Sequence, residues 1–221
     1  MLPGHICGVT GCNRPKTTKA AYCPIHNGRM ARNGHPTASA IPIAQLMPYM
    51  VRVARLLRAQ RDTHEGLKMA CGELDGLLKS CAEATREGQP QRPYERHLAR
   101  LALDGVEGIN ILEAVTAVLL FDADQPNRIR GQRALHFAVA RLVCSLTPRR
   151  GMPVGAKVAE PLAELLMTRY IGLFRSATDY FNGEAEREQR RARLLSAPLQ
   201  PSTERPAEPG KAGEHPAAED H

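Results

Sequence analysis

Tryptophan is absent from the 221 residues and all aromatics together make up only 4% of them. A core supplied by 43% hydrophobic residues must then be built from Leu, Ala, Val, Ile and Met, a palette that favours helices. Acidic residues are missing before Asp62, while that stretch carries nine basic ones: Arg14, Lys16, Lys19, Arg29, Arg32, Arg52, Arg55, Arg58 and Arg61. The other 160 residues hold 21 basic and 23 acidic groups, so the net charge of +7 belongs to the amino-terminal part, as a polyanion-binding surface requires. Long apolar runs are lacking too. The longest, Ala114 to Phe121, is far short of the roughly 20 residues of a membrane span, and nothing near the start resembles a signal peptide. The cytoplasm is the expected compartment. There, six cysteines make a poor disulfide framework, and clustered ones read as metal ligands.

What is present falls into four parts. Residues 1–36 hold a Cys/His cluster among glycines and prolines, with too little apolar material to fold unaided. Residues 37–47 read as a linker. Residues 48–196 read as a helical domain, beginning with "PYMVRVARLLRAQ", in which Pro48 suits a first turn. Further helices are predicted over about 65–87 and 94–103. Another follows from "DGVEGINILEAVTAVLLF", where Asp104 and Glu107 stand in capping-box spacing and apolar residues cover most of the circumference, as in a buried central helix. In "NRIRGQRALHFAVARLVCSL" a stripe through Leu135, Val139, Leu142, Val143 and Leu146 opposes Arg130, Arg133 and Arg141. Phe137 lies among the arginines, either stacking on a partner or filling a helix contact. A long helix is expected to reach about Asn182 and to continue through "EAEREQRRARLL". Residues 197–221, rich in proline, read as a disordered tail. The fold class is thus mainly α: a small zinc-bound module, a multi-helix bundle and a disordered tail.

The chemistry concentrates in Cys7-x4-Cys12-x10-Cys23-x2-His26. Two closely spaced ligand pairs joined by a short loop suit tetrahedral Zn²⁺ with no position left open, which is a structural site. His5 and His35 lack the paired spacing and are set aside.

This pattern resembles the small zinc module at the start of many phage and mobile-element proteins, including some HNH homing-type endonucleases. The matching positions are Cys7, Cys12, Arg14, Pro15, Cys23, His26, Arg29, Arg32, Gly34 and Pro36. Asn27 and Met30 depart from it, standing where an aromatic and a tryptophan are common. The likeness covers about 30 residues, and the chain as a whole is similar to proteins of this size from plasmids and prophages. It implies zinc and suggests nucleic acid. Physically, a metal-held loop "RPKTTK" and a helix from about Cys23 would display Arg14, Lys16, Lys19, Arg29 and Arg32 to phosphates, with Arg29, Arg32 and Asn33 placed to read bases.

Signs of catalysis are weak. His64, His97 and His136 are scattered, and His26 and Asn27 belong to the cluster, so no HNH site is assembled. "GMPVGAK" has the wrong spacing for a phosphate loop and Val158 where a Mg²⁺-binding Ser or Thr belongs. Cys71, Cys81 and Cys144 lack an activating neighbour, and Cys144 reads as core. The expectation is a non-enzymatic protein that binds nucleic acid, duplex DNA first, with a homo-oligomer contact or protein partner through the helical domain and no membrane. The alternative is a zinc-dependent protein-interaction adaptor with incidental basic charge. Few aromatics and no RNA motif leave DNA and RNA unseparated.

Overall fold

The computed structural model describes residues 6–17, 19–147 and 154–196. These form seven α-helices: α1 Pro24–Asn33, α2 Ile43–Gln60, α3 Glu65–Arg86, α4 Pro93–Leu103, α5 Gly108–Asp124, α6 Gln132–Cys144 and α7 Ala156–Ser196. Among the described residues there is no strand, only an isolated bridge between Ile6 and Pro15. The tail from 197, and residues 151–153 of the glycine-containing loop, lie outside the described residues. No described helix is long and apolar enough to cross a membrane.

Two compact units divide the chain, Met1–Gly183 and Glu184–His221. The second is described as the helical continuation of α7 to Ser196. Within the first unit, α5 is the hub, packing against α2, α3 and α6. Its apolar residues point all round, so helices can cover every side, and Ile111, Leu112, Ala114, Val115, Ala117, Val118 and Phe121 are fully buried. All four phenylalanines of the chain, Phe121, Phe137, Phe174 and Phe181, are spent on this core. Phe137 therefore fills a helix contact, and the stacking alternative falls away.

Three helix starts differ from the sequence expectation. First, α2 begins at Ile43, so the linker is shorter than 37–47 and Pro48 sits inside the helix. Pro42 in extended geometry opens it, and burial of Leu46 draws the first turn into the core. Second, α5 begins at Gly108: the Asp104 carboxylate is taken by the Thr147 hydroxyl, and Glu107 is the N-cap, its N–H donating to Asn110 Oδ1 at 3.0 Å. Another helix adds to this cap: the Gly108 N–H donates to Asp75 Oδ1 at 2.6 Å. Gly108 is needed there, since a Cβ would lie 2.7 Å from the Cys71 carbonyl oxygen and Leu74 Cβ of α3. Third, α6 begins at Gln132, leaving Arg130 in the preceding loop.

One charged group lies inside this apolar packing. Glu113, on α5, is 2% exposed and receives Arg58 of α2 in a two-pronged contact at 2.7 and 3.2 Å. The α7 helix is broken at Tyr170 (φ −115°, ψ 15°), and Arg52 of α2 reaches its Phe181, 4.9 Å from the ring centre.

Candidate metal centre and its cationic cleft

The site is assembled from a knuckle and a helix start. The Cys7 N–H donates to the Arg14 carbonyl at 3.0 Å and the Gly8 N–H to that of Ala21 at 3.0 Å. A turn in which the Cys12 N–H reaches the Val9 carbonyl then brings Cys12 back toward Cys7. Cys23 is the N-cap of α1, followed by Pro24, which is preorganised for a first helical position. Three residues later, one turn on, His26 faces the same side as Cys23.

The four predicted ligands come together. The Sγ atoms of Cys7, Cys12 and Cys23 and a ring nitrogen of His26 all lie within 4.8 Å of one another. His26 Nδ1 is 3.3 Å from Cys7 Sγ and 3.5 Å from Cys23 Sγ. The Cys23 N–H also points at Cys7 Sγ, at 3.3 Å. Cys7 and Cys23 are buried, Cys12 and His26 partly so. Burial pushes the Cys7 thiol up. Hydrogen bonds from the Cys23 and Val9 backbones, then from His26 and Cys12, outweigh it and bring the thiol down to about 6. Cys12 moves the other way. An Arg14 backbone hydrogen bond favours its thiolate, but burial and the neighbouring Cys7 and Cys23 sulfurs hold it above the ordinary thiol value. Such a set can hold a metal ion, and it is the only group of three or more convergent Cys, His, Asp or Glu ligands among the described residues.

A cleft of about 360 Å³ opens beside the ligands, lined by Cys12, Asn13, Arg14, Ile25, His26 and Arg29. Arg14 and Arg29, fifteen residues apart in sequence, thus share one cavity wall. None of Arg14, Lys16, Lys19, Arg29 and Arg32 pairs with an acid among the described residues. Lys16 and Lys19 lie on the intervening loop, Lys19 exposed and Lys16 half-buried. Ile25, 47% exposed, also lines the cleft, and no spacing in the sequence singled it out.

Asn33 is not free to read a base. Its Nδ2 donates to the Ala38 carbonyl at 2.8 Å and its Oδ1 accepts from Arg141 at 3.0 Å. Arg141, on α6, also donates to the Arg32 carbonyl. Burial, with Arg32 second, lowers the pKa of Arg141. These bonds fasten the end of α1 to α6. Gly34 completes the joint with φ +74°, and a Cβ there would lie 2.6 Å from the Arg133 carbonyl oxygen.

Three other histidines sit away from the cluster. His64 caps α3, its Nδ1 accepting from the Leu67 N–H at 3.1 Å. His97 is buried in α4, where burial and then Arg100 and Arg96 lower its pKa. His35 bonds Thr37. His5 lies outside the described residues. Burial raises Cys71, Cys81 and, to about 12, Cys144, so these thiols are poor nucleophiles. Comparison with protein-family models, with curated proteins and with solved structures returns no match.

Proposed function

We propose that residues 6–36 form a structural zinc module through which the chain binds nucleic acid, duplex DNA in the first instance, as a non-enzymatic protein of mobile-element type. The observation that carries this reading is the cleft in which two unpaired arginines, Arg14 and Arg29, stand beside Cys12 and His26. Zinc bonds of about 2.3 Å to sulfur and 2.0 Å to nitrogen, at tetrahedral angles, separate S from N by about 3.5 Å. The 3.3 and 3.5 Å separations around His26 Nδ1 fit that demand. Three thiolates and an imidazole fill the coordination sphere and leave no position for substrate, which suits a scaffold rather than a catalyst. Once held, the loop and α1 present Arg14, Lys16, Lys19, Arg29 and Arg32 as a fixed array, and cations bound to phosphates release counterions.

The test is titration of the zinc-loaded protein with generic duplex DNA over a salt series. Each phosphate contact contributes a slope of about 0.9 in log K against log salt, so Arg14→Gln with Arg29→Gln should flatten it by about 1.8. Zinc-loaded protein that binds no duplex even at low salt would end the DNA reading. RNA in competition separates the two polymers.

A second reading has its own observation. Ile43, Met47 and Val51 are 47, 47 and 65% exposed and recur every four residues along one side of α2. Such a stripe favours an adaptor that docks protein, or a homo-oligomer contact. Salt-insensitive capture of a stoichiometric partner, lost in Met47→Glu with Val51→Glu, is its signature.

A further inference from the structure

We infer that the nucleic-acid surface does not end with the metal-held head but continues onto the helical body, through Arg128 and Arg130 in the loop of residues 125–131. This rests on the nucleic-acid reading and adds to it a second, separately testable contact region.

A shared notch and two hydrogen bonds place the loop beside the head and the segment that leaves it. Arg130 Nη1 donates to Thr37 Oγ1 at 2.8 Å. Arg128 Nη2 lies 3.4 Å from Gln45 Oε1, at the start of α2. A notch of about 450 Å³ is lined jointly by His35 from the head and by Asn127, Ile129, Arg130 and Gly131 from the loop. The joint between α1 and α6, made by Arg141, Asn33 and Gly34, holds these parts in register.

Charge adds to this placement: several nearby or comparable cations of the body are compensated, whereas those of the loop are not. Arg133, the next cation along, is compensated by Glu160 at 2.6 Å. Arg61 is paired with Glu107 and Arg169 with Glu73. Arg128 and Arg130 are exposed and pair with no acid among the described residues, although Asp122 and Asp124 precede them in sequence. Asp124 instead accepts from the Tyr49 hydroxyl, and Asp122 is half-buried, with a pKa raised by that burial.

Arg29 and Arg32 neighbour each other on α1 at i, i+3, and from Arg29 to Gly34 the helix advances about 7.5 Å. Arg29 lines the cleft, Arg32 lies at the end of α1, and Arg130 lines the notch with His35, two residues past that helix. The body is a contact surface as well as a platform.

The experiment compares four full-length, zinc-loaded proteins on the same generic duplex between 50 and 200 mM salt. Arg128→Gln with Arg130→Gln should reduce the salt slope by about 1.8, so that its affinity falls about 12-fold less than wild type's across that range. Arg128→Lys with Arg130→Lys keeps the charge and should keep the slope, which separates phosphate contact from a folding role of the two guanidinium hydrogen bonds. Arg86→Gln with Arg96→Gln removes two exposed cations from α3 and α4 and should leave the slope unchanged. An unchanged slope in the Arg128/Arg130 glutamine pair, while wild type binds, overturns this inference and leaves the head's reading intact. An equal drop in the Arg86/Arg96 pair also overturns it, since net charge alone would then account for the effect. Wild type that fails to bind refutes the nucleic-acid reading, and this extension with it.

Discussion

Replacing Gly34 by alanine should loosen the joint between the metal-held head and the helical body. Two costs add at this position. The backbone sits at φ +74°, where a side chain costs about 1–2 kcal/mol. The new methyl would also lie 2.6 Å from the Arg133 carbonyl oxygen, 2.7 Å from its carbon and 2.9 Å from the Ala134 nitrogen. These are main-chain atoms of α6, so relief requires a helix shift of the overpacking kind, about 1–3 kcal/mol. The sum, about 2–5 kcal/mol, is 30-fold or more in the docking equilibrium. Two other glycines serve as internal standards. Gly11, at φ +79° with open space around it, should show only the backbone cost on change to alanine. Gly28, inside α1, meets nothing nearer than the end of the Arg32 side chain at 3.4 Å and should gain the helix-propensity difference of about 1 kcal/mol. Urea unfolding of the three zinc-loaded variants, with hydrogen exchange at Gly34 and Ala38 reporting the joint, gives the ranking. A Gly34→Ala protein as stable as Gly11→Ala, with the joint amides equally protected, would refute the close contact with α6.

Cys23→Ser removes one of four ligands and the sulfur nearest the helix start, so the protein should lose stoichiometric zinc and the structure of its first 36 residues, because for such a module metal binding supplies the folding energy; full zinc content by elemental analysis would show the ligand set to be wrong. The Arg58–Glu113 contact should respond asymmetrically in urea. Arg58→Met strands a carboxylate whose side chain is 3% exposed and should cost about 3–5 kcal/mol, whereas Glu113→Gln leaves an arginine 61% exposed to water and should cost about 1–2 kcal/mol; equal losses would contradict this burial pattern. Glu73 is held below the usual carboxylate value of 4.5 by the Arg169 side chain. Because its folded value is depressed, its contribution to stability is full above pH 4.5 and is lost as pH falls through the folded value. Carboxyl NMR should find Glu73 titrating below 4.5 in wild type and returning toward it in Arg169→Met.

Much of the architecture was legible because periodicity and composition act locally. The all-round apolar character of α5 marked it as the hub, and the scarcity of aromatics left every phenylalanine for the core. The ligand set was legible for a related reason: Cys23 and His26 fall one helical turn apart, and a tight turn closes Cys7 on Cys12 within a few residues. The start of α5 was harder, because distant residues share in fixing it. Asp75 serves α5 from another helix, and Thr147 engages the carboxylate of Asp104 from forty-three positions away. Asn33 illustrates the same limit at the site. Its residue type suits base reading, but Arg141, more than a hundred residues later, takes its oxygen.

By itself the sequence determined the helical class, the four candidate ligands and the excess of positive charge in the first 61 residues. These follow from residue type and short-range spacing, which survive any arrangement of the rest of the chain. Only the tertiary structure decided which cations remain uncompensated, that Arg14 and Arg29 share a cleft, and that the loop carrying Arg128 and Arg130 meets the head. Those outcomes depend on which acid each cation meets and on the fit of Gly34 against α6, and such contacts between distant residues exist only after the chain has packed.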